Sequence, residues 1–148
     1  MTEPVDPDVD LHVEAQRREL SVGLVAAVSL GGGLGALARY GLAVLLPAGH
    51  GAFPVATFLT NVSGCLAIGV LMVLVTERKP HRLVRPFLGV GVLGGFTTFS
   101  AYAVETDALL RAGRAGTALG YVGATLVAAL LAVLAAALAT RAVLGRRA

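Results

Sequence analysis

This sequence predicts an all-α membrane protein of four transmembrane helices, the third of them broken at its centre. Three observations carry that expectation. Hydrophobic residues make up 56% of the 148-residue chain, only 14% are charged, and the mean hydropathy is +0.80, against about 25% charged residues in soluble domains. Four uncharged runs, 20–38, 51–76, 86–104 and 115–140, are each at least 19 residues long, enough to cross a hydrocarbon core roughly 30 Å thick at about 1.5 Å per residue. Inside the third run stands Gly94-Gly95-Phe96-Thr97-Thr98-Phe99-Ser100, a poor helix interior because glycine costs about 1 kcal/mol relative to alanine and threonine a few tenths. In lipid such a break is tolerated only where its freed N–H and C=O groups are buried in protein or line a cavity. A polar site at mid-membrane depth is therefore the expected seat of function.

The rest of the chain leaves little room for another. Residues 1–19, with Glu3, Asp6, Asp8, Asp10, Glu14 and Glu19, read as a disordered acidic tail, and residues 20–148 as the four-helix domain. The first apolar run is too long for the core of a cleaved signal peptide, and its flank is acidic. Loops at roughly 47–53, 77–85 and 111–116 are short. His12, His50 and His81 fall in tails or loops without metal-binding spacing, and no nucleophile has a partner. An enzyme is not expected. The single cysteine, Cys65, excludes an internal disulfide and reads as a small thiol within the second helix.

Net charge +3 and a pI near 9.6 reflect orientation rather than nucleic-acid binding. Arg17, Arg18, Arg78, Lys79, Arg82, Arg85, Arg141, Arg146 and Arg147 fall on one side, and Arg39, Arg111 and Arg114 on the other. Nine against three is a strong positive-inside bias that places both termini in the cytoplasm, where the cations meet anionic lipid headgroups.

Each helix contributes candidates. In the first, Gly31 and Gly35 are four apart and let another backbone approach closely; Arg39 ends it, either as an interfacial arginine or as a cation at the mouth of an anion pathway. The second carries Thr57, Asn61 and Gly64 on one face, with Asn61 the most polar group and a source of two amide donors. In the third, the half after the break starts near Thr97–Ser100, where free N–H groups favour an anion. The half before it ends in carbonyls that suit a small hard cation such as sodium. Phe99 and Tyr102, three apart, stack on one face and present ring edges of partial positive charge. Tyr121 and Thr125, four apart in the last helix, continue a track of hydroxyls.

Taken together, these residues resemble the Fluc (CrcB) family of small bacterial fluoride channels over residues 29–126. The resemblance rests on Ala38-Arg39-Tyr40 after a glycine-rich segment, on Phe58-Leu59-Thr60-Asn61-Val62-Ser63-Gly64, and above all on Gly94–Ser100 followed by Glu105. What it implies is an antiparallel dimer of dual-topology type in the bacterial inner membrane, with two fluoride pathways. Carbonyls of Gly94 and Thr97 from both subunits would hold one structural sodium ion that is not transported. Asn61 would donate to fluoride, Phe99 and Tyr102 would take the places of two pore phenylalanines, Thr98, Ser100, Tyr121 and Thr125 would form a polar track, and Arg39 would sit near an aqueous vestibule. The chain departs from the usual Thr-Thr-Phe-Ser-Thr-Phe-Ser pattern in reading Thr97-Thr98-Phe99-Ser100-Ala101-Tyr102-Ala103. Charge leaves the partner open between a homodimer and a heterodimer: a chain that inserts in both orientations needs a near-zero bias, and nine against three raises pairing with a homologous subunit of opposite orientation. The alternative function is a small proton-coupled multidrug exporter, also a four-helix antiparallel dimer. It would need a carboxylate deep in the membrane, and the cores of helices one and two contain none.

Overall fold

The computed structural model describes residues 21–78 and 80–145; the acidic tail lies outside them. Apolar residues of good helix propensity carry α1 from Val22 to Leu45, six residues beyond Arg39. The expectation that Arg39 ends the first helix is corrected here. An arginine is a good helix former, and the chain continues through apolar Gly41–Leu45 until Pro47 excludes Leu46 from the α region (φ −126°, ψ 63°). After Pro54, α2 runs Val55–Arg78. The third span comprises α3 (Arg85–Leu93), α4 (the single turn Gly94–Phe96), and α5 (Ser100–Arg111) after the break. α6, Ala115–Gly145, is the fourth. These are four apolar spans of 24, 24, 27 and 31 residues, each long enough to cross a membrane, and no strand occurs among the described residues.

The winding of α3 is wide, of the i→i+5 type, over nine residues. Such turns are rare and cluster near functional sites. Here the wide winding feeds directly into the broken segment. α5 ends as its sequence dictates: Gly113 takes φ +71°, and the Gly113 and Arg114 N–H groups donate back to the Leu110 and Leu109 carbonyls at 3.0 and 2.9 Å. Glycine is what permits that left-handed C-terminal motif.

α1 packs chiefly on α3 and α4, and α2 chiefly on α6. The α1 contact is made of backbone. Gly31 and Gly35 are buried; a Cβ on Gly31 would meet the Phe87 carbonyl and the Gly91 Cα, and one on Gly35 would meet the Val92 carbonyl and the Phe96 N. Across the seam, a Cβ on Gly95 would meet Gly32. In a bilayer no hydrophobic effect draws helices together, so dispersion at close backbone approach must hold them. Side chains pack instead at the other end, where Leu109, Ala118 and Tyr121 are buried with Phe53, Phe58 and Tyr102 against them. Outward, leucines and valines of α1 and α6 are exposed, as lipid requires.

Gly35→Ala should therefore destabilise the purified protein by about 1–3 kcal/mol, the usual cost of overpacking. Gly33→Ala, on the same helix with nothing within 4 Å of its Cβ position, should change stability by about 1 kcal/mol or less. Thermal unfolding in detergent checks both.

Candidate functional site

The ladder of the third span can be followed bond by bond into the break. The Thr97 N–H still donates to Leu93 O at 2.9 Å, and the Thr97 hydroxyl doubles that contact at 2.8 Å. Thr97 then turns extended (φ −74°, ψ 155°), and the helical pattern stops. At Thr98 the second span takes over. The Thr98 N–H donates to Asn61 Oδ1 at 2.8 Å, and Asn61 Nδ2 donates to Thr98 O at 2.9 Å. One side-chain amide thus pairs with one peptide as strands pair in a sheet. The Thr98 hydroxyl accepts the Ala101 N–H at 3.1 Å and lies 3.2 Å from Ser100 Oγ, capping α5. The approach of the two spans is fixed by Gly64, whose missing Cβ is the space that the Thr97 methyl occupies. Thr57, Asn61 and Gly64, read from the sequence as one face, all point to the third span: Thr57 to Glu105, Asn61 to Thr98, Gly64 to Thr97.

Beside the break lies a cavity of about 620 Å³ whose wall includes Asn61, Thr97, Thr98, Phe99, Tyr102 and Thr125, with Gly94 and Cys65 among the rest. Thr125 is 6% exposed, and its hydroxyl is buried without a hydrogen-bond partner. A donor left so is expected to serve something else. Phe99 and Tyr102 have ring centroids 5.8 Å apart, Tyr102 and Tyr121 5.1 Å, and Tyr121 and Phe53 5.2 Å, so the aromatic face read from spacing extends into a chain of rings. Tyr102 Oη donates to the Val122 carbonyl at 3.3 Å. The phenol is tied to the last helix, which leaves the ring to face the cavity. Phe99 is 79% exposed, an aromatic on the outside of the subunit at the level of the break.

The rings lead to Glu105. Its Oε1 accepts the Thr57 hydroxyl at 2.8 Å and its Oε2 the Tyr121 hydroxyl at 2.7 Å; Tyr121 is fully buried and Thr57 8% exposed. In the sequence, Glu105 stands out only as following the Gly94–Ser100 motif, and Thr57 only as one member of a helical face. That a carboxylate, a threonine and a tyrosine from three helices meet is legible only in space. The one signal in the chain was position: Glu105 stands three residues after Tyr102 and so shares its face.

Three expected members, Ser100, Tyr121 and Arg39, stand apart from the cavity wall, Ser100 being tied to it only through the Thr98 hydroxyl 3.2 Å away. Tyr121 reaches it through the Tyr102 ring. Arg39 sits across the seam, with Nε donating to Gly95 O at 3.2 Å, and so binds a carbonyl of the broken helix. The Gly94 and Thr97 carbonyls receive no donor among the described residues, and both residues border the cavity. Hard, unpaired carbonyl oxygens fit a sodium ion.

A broken membrane helix, a buried amide splinting it and a track of hydroxyls and ring edges beside it define a membrane protein built to pass an ion. The comparisons with known proteins agree. Residues 26–137 match the family described as "CrcB-like protein, Camphor Resistance (CrcB)", and the chain belongs to that family. It is 57% identical over 122 residues to "Fluoride-specific ion channel FluC 1" of Streptomyces coelicolor, covering 82% of this chain and 79% of that one. It is 54% identical over 125 residues to "Fluoride-specific ion channel FluC 2" of Streptomyces avermitilis, with the same coverage. Against "Fluoride-specific ion channel FluC" of Paracoccus denitrificans the identity is 48% over 108 residues, 73% of this chain and 86% of the other. With its four apolar spans, this is a multi-pass bacterial membrane protein.

Tyr121→Phe should leave Glu105 Oε2 without a donor and cost about 1–3 kcal/mol, the usual cost of an unsatisfied buried acceptor. Thr57→Val should cost a similar amount, and the double variant less than the sum, because both act on one carboxylate. Thermal unfolding of the four proteins checks this.

Proposed function

We propose that this chain forms a fluoride-specific channel through which fluoride leaves the cytoplasm passively, reducing its toxicity, with no catalytic chemistry. The observation that carries it is the broken third span with its cavity of donors, found in a family whose named relatives are fluoride-specific channels. Fluoride is small and strongly hydrated, so a pore must replace its water with close donors. The remaining N–H of Asn61, the orphan Thr125 hydroxyl, Ser100 and Thr98, the N–H groups opening α5 and the ring edges of Phe99 and Tyr102 supply such donors without a fixed full charge to trap the ion. The relatives do not favour the exporter alternative.

The working unit in this reading is an antiparallel dimer. Phe99 supports it: an exposed pore aromatic completes a pathway only when a second subunit covers it. Gly94 and Thr97 from each subunit would hold the sodium ion, which supplies a fixed positive charge that draws the anion in. Whether the partner is identical is a question of charge. The nine-to-three bias of Lys and Arg favours one orientation of insertion, and Streptomyces avermitilis supplies two relatives, FluC 2 and FluC 3, so more than one such subunit occurs in one organism. The reading adopted is a heterodimer with a homologous subunit of opposite orientation.

Liposomes containing the conducting assembly should release fluoride at least about tenfold faster than chloride, measured with ion-selective electrodes; equal rates would remove the proposed function. This chain alone should give a single orientation by cysteine labelling and little release until a homologous partner is added. Phe99→Ala should lower fluoride release by on the order of tenfold or more, with the subunits still assembled on size-exclusion chromatography.

A further inference from the structure

In a continuous helix each N–H donates to the carbonyl four residues back. Across the break that rule assigns the Thr98 N–H to Gly94 O and the Ala101 N–H to Thr97 O. Neither bond forms. The Thr98 N–H goes to Asn61 Oδ1 at 2.8 Å, and the Ala101 N–H goes to Thr98 Oγ1 at 3.1 Å. Four carbonyls, those of Gly94, Gly95, Phe96 and Thr97, lose their ladder donors at the break, and of these Gly94 and Thr97 border the cavity. Gly95 O, whose ladder donor would be the Phe99 N–H, is instead taken by Arg39 Nε at 3.2 Å, and neither Gly95 nor Phe96 borders the cavity. Each diversion is made by a side chain whose type the task requires. Asn61 needs an acceptor for Thr98 N–H and a donor for Thr98 O on one planar group, which only a carboxamide has. Thr98 needs a short hydroxyl in the capping position.

We propose that Asn61 and Thr98 are positioning residues for a cation: by capturing the N–H groups of Thr98 and Ala101 they release the Gly94 and Thr97 carbonyls to bind sodium. Arg39 closes Gly95 O and so limits which carbonyls remain. This rests on the channel reading above and deepens it, because Asn61, a lining residue of the anion pathway, then also sets the cation site. Removing either side chain lets a neighbouring N–H fall back to its helical carbonyl, and the cation loses a ligand without any ligand atom being mutated. Loss of transport in an Asn61 variant would accordingly have two sources, a missing anion donor and a weakened cation.

The test reads sodium binding apart from transport. The assembled protein, purified with N-methyl-D-glucamine as its only cation, is titrated with sodium while its unfolding temperature is followed; binding to the folded state alone raises it by mass action. The wild-type protein should show a saturable rise. In Asn61→Ala and in Thr98→Val the sodium concentration at half-maximal rise should increase at least about tenfold, whereas Thr98→Ser, which keeps the capping oxygen, should stay within about threefold of wild type. Thr98→Val carries the test by itself if Asn61→Ala does not fold. Half-points unchanged in both variants, or no sodium response in the wild type, overturn the proposal. Fluoride release by the same wild-type preparation keeps the two readings separate: release without a sodium response ends the positioning role alone, and a sodium response without release ends the channel reading.

Discussion

A peptide group at mid-membrane depth must find a partner or face a cavity, and the pairing of Asn61 with the Thr98 peptide is how this fold meets that demand. Without it the third span has two poor choices. It winds as a continuous helix and has no polar site, or it breaks and leaves both Thr98 groups unpaired at a cost of about 1–3 kcal/mol each. The amide offers a third course, in which the helix stops and the bilayer is never shown a bare peptide. Everything around it serves that contact. Gly64 admits the Thr97 methyl, Thr98 caps the next half-helix, and the aromatic residues follow from where that cap points.

The seam between α1 and the third span shows the same economy by a different route. Gly31 and Gly35 bring backbone against backbone, which places Arg39 one turn further on, within reach of Gly95 O. An arginine in a membrane helix is expensive unless its charge finds water or a carbonyl. Here it finds a carbonyl that the break has left open, so one irregularity offsets the other.

Much of this was legible in the chain, and for definite reasons. Uncharged runs of spanning length are a strong signal, and Gly94-Gly95 followed by two threonines marks the break wherever the surroundings lie. Close approach at Gly31 and Gly35 followed from spacing, as did the shared face of Thr57, Asn61 and Gly64. What spacing cannot give is the partner across space. The Asn61–Thr98 pair joins residues 37 apart, Thr57 and Glu105 are 48 apart, and Arg39 and Gly95 are 56 apart. The end of the first helix was misread at Arg39 because a charge was taken for a stop, whereas Pro47 sets the stop. The wide winding of α3 had no local signature.

The exposure of Phe99 also bears on how much working protein a cell obtains. In the proposed dimer, a subunit inserted without its partner would hold the Phe99 ring against acyl chains, with Ser100 exposed beside it and bonded, among the described residues, only to the Thr98 hydroxyl at 3.2 Å. The orphan is the least comfortable form of the chain in the bilayer. In the proposed pairing, the amount of working channel would therefore follow the scarcer member of the pair.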